Sequence, residues 1–158
     1  MKRTTVVLLL LAFSANVVRA QSSQGGKDTW TDPSTGLTWA ARDNSKDVSW
    51  KGAGKYCRKL RIGGHSDWRL PTLEELEGIY DENANSPGLA GKTVFHWYVK
   101  GNLFLTGHPW SSEYRTDDRG RDSGYYWYFS FNDGRPNNEP SGWPYPSTFK
   151  RALCVCGK

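Results

Sequence analysis

The sequence predicts an α+β domain, and three observations carry that reading. Two helix-start signals fall in the first half and β-rich runs follow in the second, with no strand–helix alternation of the parallel-sheet kind. Eight Trp, eight Tyr and six Phe supply core area where Leu and Ile are sparse. Each buried ring removes about 150–250 Å² from water, and a disordered chain lacks such residues because it cannot offset its own entropy. Finally, 17 Gly and 8 Pro mark long loops between the elements.

Residues 1–20 read as a signal peptide. Met1-Lys2-Arg3 is a basic start, 6–13 (VVLLLLAF) is an apolar run, and Val18-Arg19-Ala20 sets small side chains at the cleavage-site positions. The apolar run is far shorter than the roughly 20 residues of a membrane span. Residues 21–28 (QSSQGGKD) follow as a flexible lead-in, and 29–158 form the domain. Of the 21 basic residues, Lys2, Arg3 and Arg19 belong to the leader, which leaves the domain near balance against 16 acidic ones. A cytosolic enzyme, a transmembrane protein and a strongly basic nucleic-acid binder drop out. The expected location is secreted or periplasmic, with no membrane span and no nucleic-acid partner.

The domain opens with two alternating runs, 29–31 and 37–39, around the turn composition Asp32-Pro33-Ser34-Thr35-Gly36, which predicts a hairpin. Ser49 then caps a first helix whose Trp50, Ala53, Cys57 and Leu60 share one face, with Lys51, Lys55, Arg58 and Lys59 largely outside it and Gly63-Gly64 as its end. Thr72 and Glu75 form a capping box after Pro71. The helix it starts is apolar at Leu73, Leu76, Ile79 and Tyr80, and Glu74 and Glu75 suit its macrodipole. Between the helices, Trp68 and Leu70 read as core, and Asp67 and Arg69 as loop-fixing residues. Beyond Asp81, 83–92 reads as a loop, and 93–99, 103–105, 125–131 and 148–156 read as strands. The stretches 107–123 and 134–146 read as long connections.

Three cysteines in an oxidising compartment leave one over. Cys154 and Cys156 sit two apart in a strand and share a face, so either meets Cys57 of the first helix. The spare thiol is open to an inter-chain bond, to a Cu(I) site shared by Cys154 and Cys156, or to inert burial. No catalytic signature is present, and no catalytic residue is assigned. His65, His96 and His108 are scattered without a zinc motif, and Ser111 and Ser112 lack a nucleophile elbow.

If a binding face exists, the long loops should carry it. The ligand-binding set is Trp110, Glu113 and Arg115 on one loop, and Asp133, Arg135, Asn137, Trp143 and Tyr145 on the other. Aromatic platforms beside Arg and Asn suit a sugar, stacked on one side and hydrogen-bonded at its edge. Arg119 and Arg121 add charge that favours sulfate or carboxylate, while Asp117, Asp118 and Asp122 partly cancel it.

Several of these segments, in order, resemble the Lcl C-terminal domain family: Thr35-Gly36-Leu37-Thr38-Trp39, Ala53 with Tyr56-Cys57, Trp68-Arg69-Leu70-Pro71-Thr72 with Glu75-Leu76, Trp110-Ser111-Ser112, Phe131-Asn132-Asp133-Gly134 and Cys154-Val155. The WRLPT…EL stretch is the most specific of them. The resemblance implies a C-type-lectin-like fold, with two helices packed on a twisted antiparallel sheet, long loops over one end, and chain ends close together. It also implies a Cys57–Cys154 disulfide. In the bacterial collagen-like adhesin that gives the family its name, the domain is linked to binding of sulfated host polysaccharides. This sequence departs from the pattern at Cys156, where a basic residue is expected. C-type lectins also chelate Ca²⁺ through Glu-Pro-Asn and Trp-Asn-Asp segments. Glu139-Pro140-Ser141 and Phe131-Asn132-Asp133 look similar but occur in reverse order, and Asn132-Asp133-Gly134 is also a hairpin-turn composition. No cofactor is predicted; Ca²⁺ and Cu(I) are the two ions the residues leave open. The expected function is non-enzymatic recognition of an extracellular glycan. The alternative is an interaction or structural module with an envelope protein as partner, and the third is a copper- or thiol-dependent oxidoreductase-like activity.

Overall fold

The computed structural model describes residues 28–142 and 147–157. The expected signal peptide, nearly all of the lead-in, Trp143 and Tyr145 lie outside the described residues. The hairpin forms as expected from β1 (Thr29–Thr31) and β2 (Thr38–Ala40), with Trp30 opposite Trp39. Its turn closes on the Asp32 carboxylate, which accepts hydrogen bonds from Ser34 N, Ser34 Oγ and Thr35 Oγ1 at 2.7–2.9 Å. The other edge of β2 pairs with β9 (Val155–Cys156), so the first and last strands flank the same neighbour. That puts Thr31 and Cys156, which both face Thr38, about two strand spacings, roughly 9–10 Å, apart.

Helix α1 (Trp50–Lys59) starts at Ser49, whose hydroxyl accepts from Gly52 N at 3.2 Å. It stops before the expected Gly63-Gly64. Leu60 is already extended, and its N–H donates to Cys57 O at 3.0 Å. The two glycines instead lie inside a tight bridge between Ile62 and His65. Helix α2 (Leu73–Gly78) carries the expected capping box: Glu75 N donates to Thr72 Oγ1 at 3.1 Å and Thr72 N to Glu75 Oε2 at 2.8 Å.

The second half holds more strand than the sequence implied. Half of the 83–92 loop is β3 (Ser86–Ala90), paired with β4 (Thr93–Trp97). Gly88, which looks like a turn residue, serves a close approach: a Cβ there would lie 2.2 Å from Leu105 O. The 107–123 connection is largely β5 (His108–Thr116) and its turn into β6 (Asp122–Ser130). Register shifts between Trp110, Tyr114 and Thr116 break the alternation that signals a strand. The 134–146 loop begins with β7 (Arg135–Pro140), whose two prolines are tolerated because it is an edge strand. The single strand expected over 148–156 is split between two sheets. β8 (Lys150–Arg151) pairs parallel with β5, and β9 joins the hairpin sheet. Residues 103–105 make only isolated bridges, Phe104 with Arg42 and Leu105 with Gly88.

The result is a mostly-sheet α+β fold with two helices and small sheets that are antiparallel apart from the β5–β8 pair. One buried cluster gathers Trp39, Leu76, Ile79, Trp97, Phe129 and Phe131. A second surrounds the disulfide between Cys57 and Cys154 and includes Trp68, Leu70, Trp110 and Tyr126. This bridge ties α1 to the last segment across a separation of 97 residues, worth about 4–5 kcal/mol in the chain-entropy picture. No helix among the described residues is long and apolar enough to cross a membrane.

Candidate functional site

The cleft with the clearest chemistry opens between α1 and the 69–72 segment. It encloses about 720 Å³ and is lined by Trp50, Lys51, Gly54, Arg58, Arg69, Leu70, Thr72 and Ser112. Helical spacing explains the α1 wall: residues 50, 51, 54 and 58 fall on one side of the helix, while Ala53 and Cys57 point into the core. Glycine in a helix interior costs about 1 kcal/mol relative to alanine, yet α1 carries Gly52 and Gly54. Gly54 brings the helix backbone close to two cleft residues: a Cβ there would lie 3.2 Å from Arg58 Nη1 and 3.9 Å from Leu70 Cδ1.

Trp50 is fixed from several directions. Its Nε1–H donates to Ser111 O at 2.8 Å and its backbone N–H to Ser141 Oγ at 2.8 Å. Its ring stacks on Tyr126, with centroids 4.3 Å apart, and meets the Tyr114 ring edge-on at 6.0 Å. The floor is pinned by Ser112 N, which donates to Pro71 O at 2.7 Å. An aromatic wall held this way loses little side-chain freedom when a ligand packs on it.

The electrostatics of the cleft are positive. Lys51 and Arg58 are exposed and make no ion pair among the described residues. Arg69 forms a two-pronged pair with Glu75, both N···O distances being 2.7 Å. This hydrogen bond raises the Arg69 pKa. Burial alone would raise the Glu75 pKa, but the bonds from Arg69 and the Thr72 amide outweigh it and hold the carboxyl below its ordinary range. The pair splints the 69–75 segment, leaving Lys51 and Arg58 as the exposed cations that line the cleft.

The described residues expected to bind ligand are spread over β5, the β6–β7 turn and β7. Trp110 is not a loop platform: it is fully buried in β5 and its Nε1–H donates to Val48 O at 2.8 Å. Glu113 lies beside the cleft, its Oε1 3.4 Å from Leu73 N at the start of α2. Arg115 is exposed on β5, over the Tyr125 ring and 3.4 Å from Asn138 Oδ1. Asn137 is exposed on β7, opposite Tyr128. Asp133 and Arg135 sit at the β6–β7 turn, where Gly134 packs on Tyr80. At about 3.3 Å per residue, Arg135 is roughly 10 Å along the strand from Asn138. Glu139, further along β7, pairs its carboxylate with Lys150 at 3.0 Å.

Cys154 is committed to its disulfide, so it offers no thiolate to a Cu(I) pair with Cys156. Burial, with Asp67 adding to it, pushes the Cys156 thiol up to about 11, the opposite of a reactive cysteine.

The WRLPT…EL segment thus turns out to be a structural splint that also forms one wall of the cleft. The family model for the Lcl C-terminal domain matches residues 28–151. The chain belongs to the Lcl C-terminal domain family. No curated protein matches the sequence. In this Lcl C-terminal domain, sequence reasoning missed Trp50, Lys51, Arg58 and Arg69 as one wall-lining group. A signal was present: Trp50, Lys51, Gly54 and Arg58 stand at i, i+1, i+4 and i+8, with a glycine where a helix normally avoids one.

Proposed function

We propose that this Lcl C-terminal domain is an exported, C-type-lectin-like recognition module that binds an anionic glycan in the cleft between α1 and the 69–72 segment. The observation that carries the proposal is the combination of an open cleft of about 720 Å³ with a rigid Trp50 wall and the cations Lys51 and Arg58. An apolar ring supports the face of a sugar, and the cations meet sulfate or carboxylate groups at its edge. The family resemblance supports the same ligand class, and the disulfide suits an oxidising compartment.

The test is a glycan array probed with residues 21–158, with calcium and with chelator. Sulfated or uronic-acid glycans should bind and neutral ones should not, in either buffer. Trp50→Ala and Lys51→Glu should each remove the signal. Binding that survives both substitutions would move the site to the exposed Arg115–Asn138 sheet face. A blank array would reject the glycan reading and favour an envelope protein partner.

A further inference from the structure

We propose that His65, Asp67 and Cys156 form a binding site for a divalent cation, with Zn²⁺ as the best-fitting ion. One imidazole nitrogen, one carboxylate oxygen and the thiol sulfur lie within 4.8 Å of one another. His65 Nδ1 and Asp67 Oδ1 are 3.8 Å apart. Tetrahedral Zn²⁺ with bonds of about 2.0–2.3 Å sets neighbouring ligands about 3.3–3.8 Å apart, so one pair is already in range and the others need a shift of at most about 1 Å. The His65 and Asp67 side chains are 43% and 64% exposed and free to make it, whereas Cys156 is buried.

The backbone brings these groups together independently of any ligand. Arg69 N donates to Val155 O at 2.9 Å and Val155 N to Arg69 O at 3.0 Å, which locks the segment after Asp67 onto β9 and thus onto Cys156. The Ile62–His65 bridge, closed by His65 N to Ile62 O at 3.0 Å, turns His65 back towards the same point. The His65 ring also meets Trp68 edge-on at 5.8 Å. Nitrogen, oxygen and a single thiolate suit Zn²⁺ better than Cu(I), which prefers paired soft sulfur ligands, or Ca²⁺, which wants oxygen alone. Three protein ligands leave a fourth position for water or a ligand group.

The site is independent of the anionic-glycan reading, and its test does not involve sugar. Co²⁺ would be titrated into the disulfide-intact protein, residues 21–158, and followed by its optical spectrum, with Zn²⁺ then added as competitor. The expected result is a thiolate-to-cobalt charge-transfer band, displaced by one equivalent of Zn²⁺. Cys156→Ser should abolish the band. His65→Ala, at an exposed position, should weaken Zn²⁺ binding by about tenfold or more with unchanged circular dichroism. Absence of the thiolate band in the wild-type protein would overturn the proposal, as would Zn²⁺ affinity unaltered in the folded His65→Ala protein.

Discussion

His108 sets an acid limit on the stability of this domain. It lies at the start of β5, half-buried, with the Trp97 and Tyr128 rings at 5.6 and 5.8 Å and Nδ1 without a hydrogen-bond partner among the described residues. Burial, reinforced by Lys150 and then by Arg151 against an opposing pull from Asp133, lowers its pKa to about 4 from an ordinary 6.5. The unfolded chain therefore binds a proton that the folded protein refuses, and stability falls as pH drops through the window from about 6.5 to about 4. Integrating the two titrations gives a loss of about 2 kcal/mol between pH 7 and pH 5, rising to about 3 kcal/mol at the lower edge. The assay is urea unfolding at pH 7, 6 and 5 for the wild type and His108→Phe. Phenylalanine keeps the aromatic packing and removes the titration, so the variant should show a much flatter profile whatever its stability at pH 7. Parallel decline of the two proteins by the full amount would refute the assignment.

Further consequences concern the scaffold. Replacing Cys57 and Cys154 together by Ala should lower stability by about 4–5 kcal/mol from loop entropy, read as a large fall in the thermal midpoint. Because both sulfurs are fully buried, reductant should act on the wild type only under unfolding conditions. Glu75→Ala removes the two bonds to Arg69 and the return bond of the capping box, and should cost about 1–2 kcal/mol by denaturant titration. Since Glu75 is held below its ordinary pKa of 4.5 in the folded state, that difference should be present at neutral pH and fade as pH falls below 4.5. Gly101→Ala should cost about 2–4 kcal/mol, because Gly101 has φ +73° and a Cβ would lie 2.2 Å from Trp30 Cδ2.

Local chemistry was legible wherever a short motif determines its own structure. The Asp32 turn, the Ser49 cap and the Thr72–Glu75 box needed only neighbours in sequence, and all three form. The strands were harder because their pairing is decided elsewhere. β5 is bent by register shifts that erase its alternation, and β7 is a polar, proline-bearing edge whose only reason to be extended is β6. The tryptophans show the same division. Trp110 sits beside two serines and reads as loop, but the parallel pairing of β5 with β8 and the packing around the disulfide bury it completely. The cleft depends on a gap between α1 and a segment that follows it by ten residues or more, and such a gap has no local signature beyond Gly54. Asp67, read as a loop-fixing residue, meets Cys156 only because Arg69 pairs with Val155 across the sheet.

The most direct test of the proposed recognition role is a calorimetric titration of residues 21–158 with a sulfated polysaccharide and with its desulfated form. The wild type should bind the sulfated chain saturably, more weakly as salt rises, and the desulfated chain poorly. Lys51→Glu/Arg58→Glu should reduce affinity at least about tenfold, because it removes two ion contacts from the cleft, while Asp133→Ala/Arg135→Ala at the far β6–β7 turn should leave it unchanged. Equal binding of both polysaccharides, or full affinity in the Lys51/Arg58 variant, would contradict the assignment of the cleft.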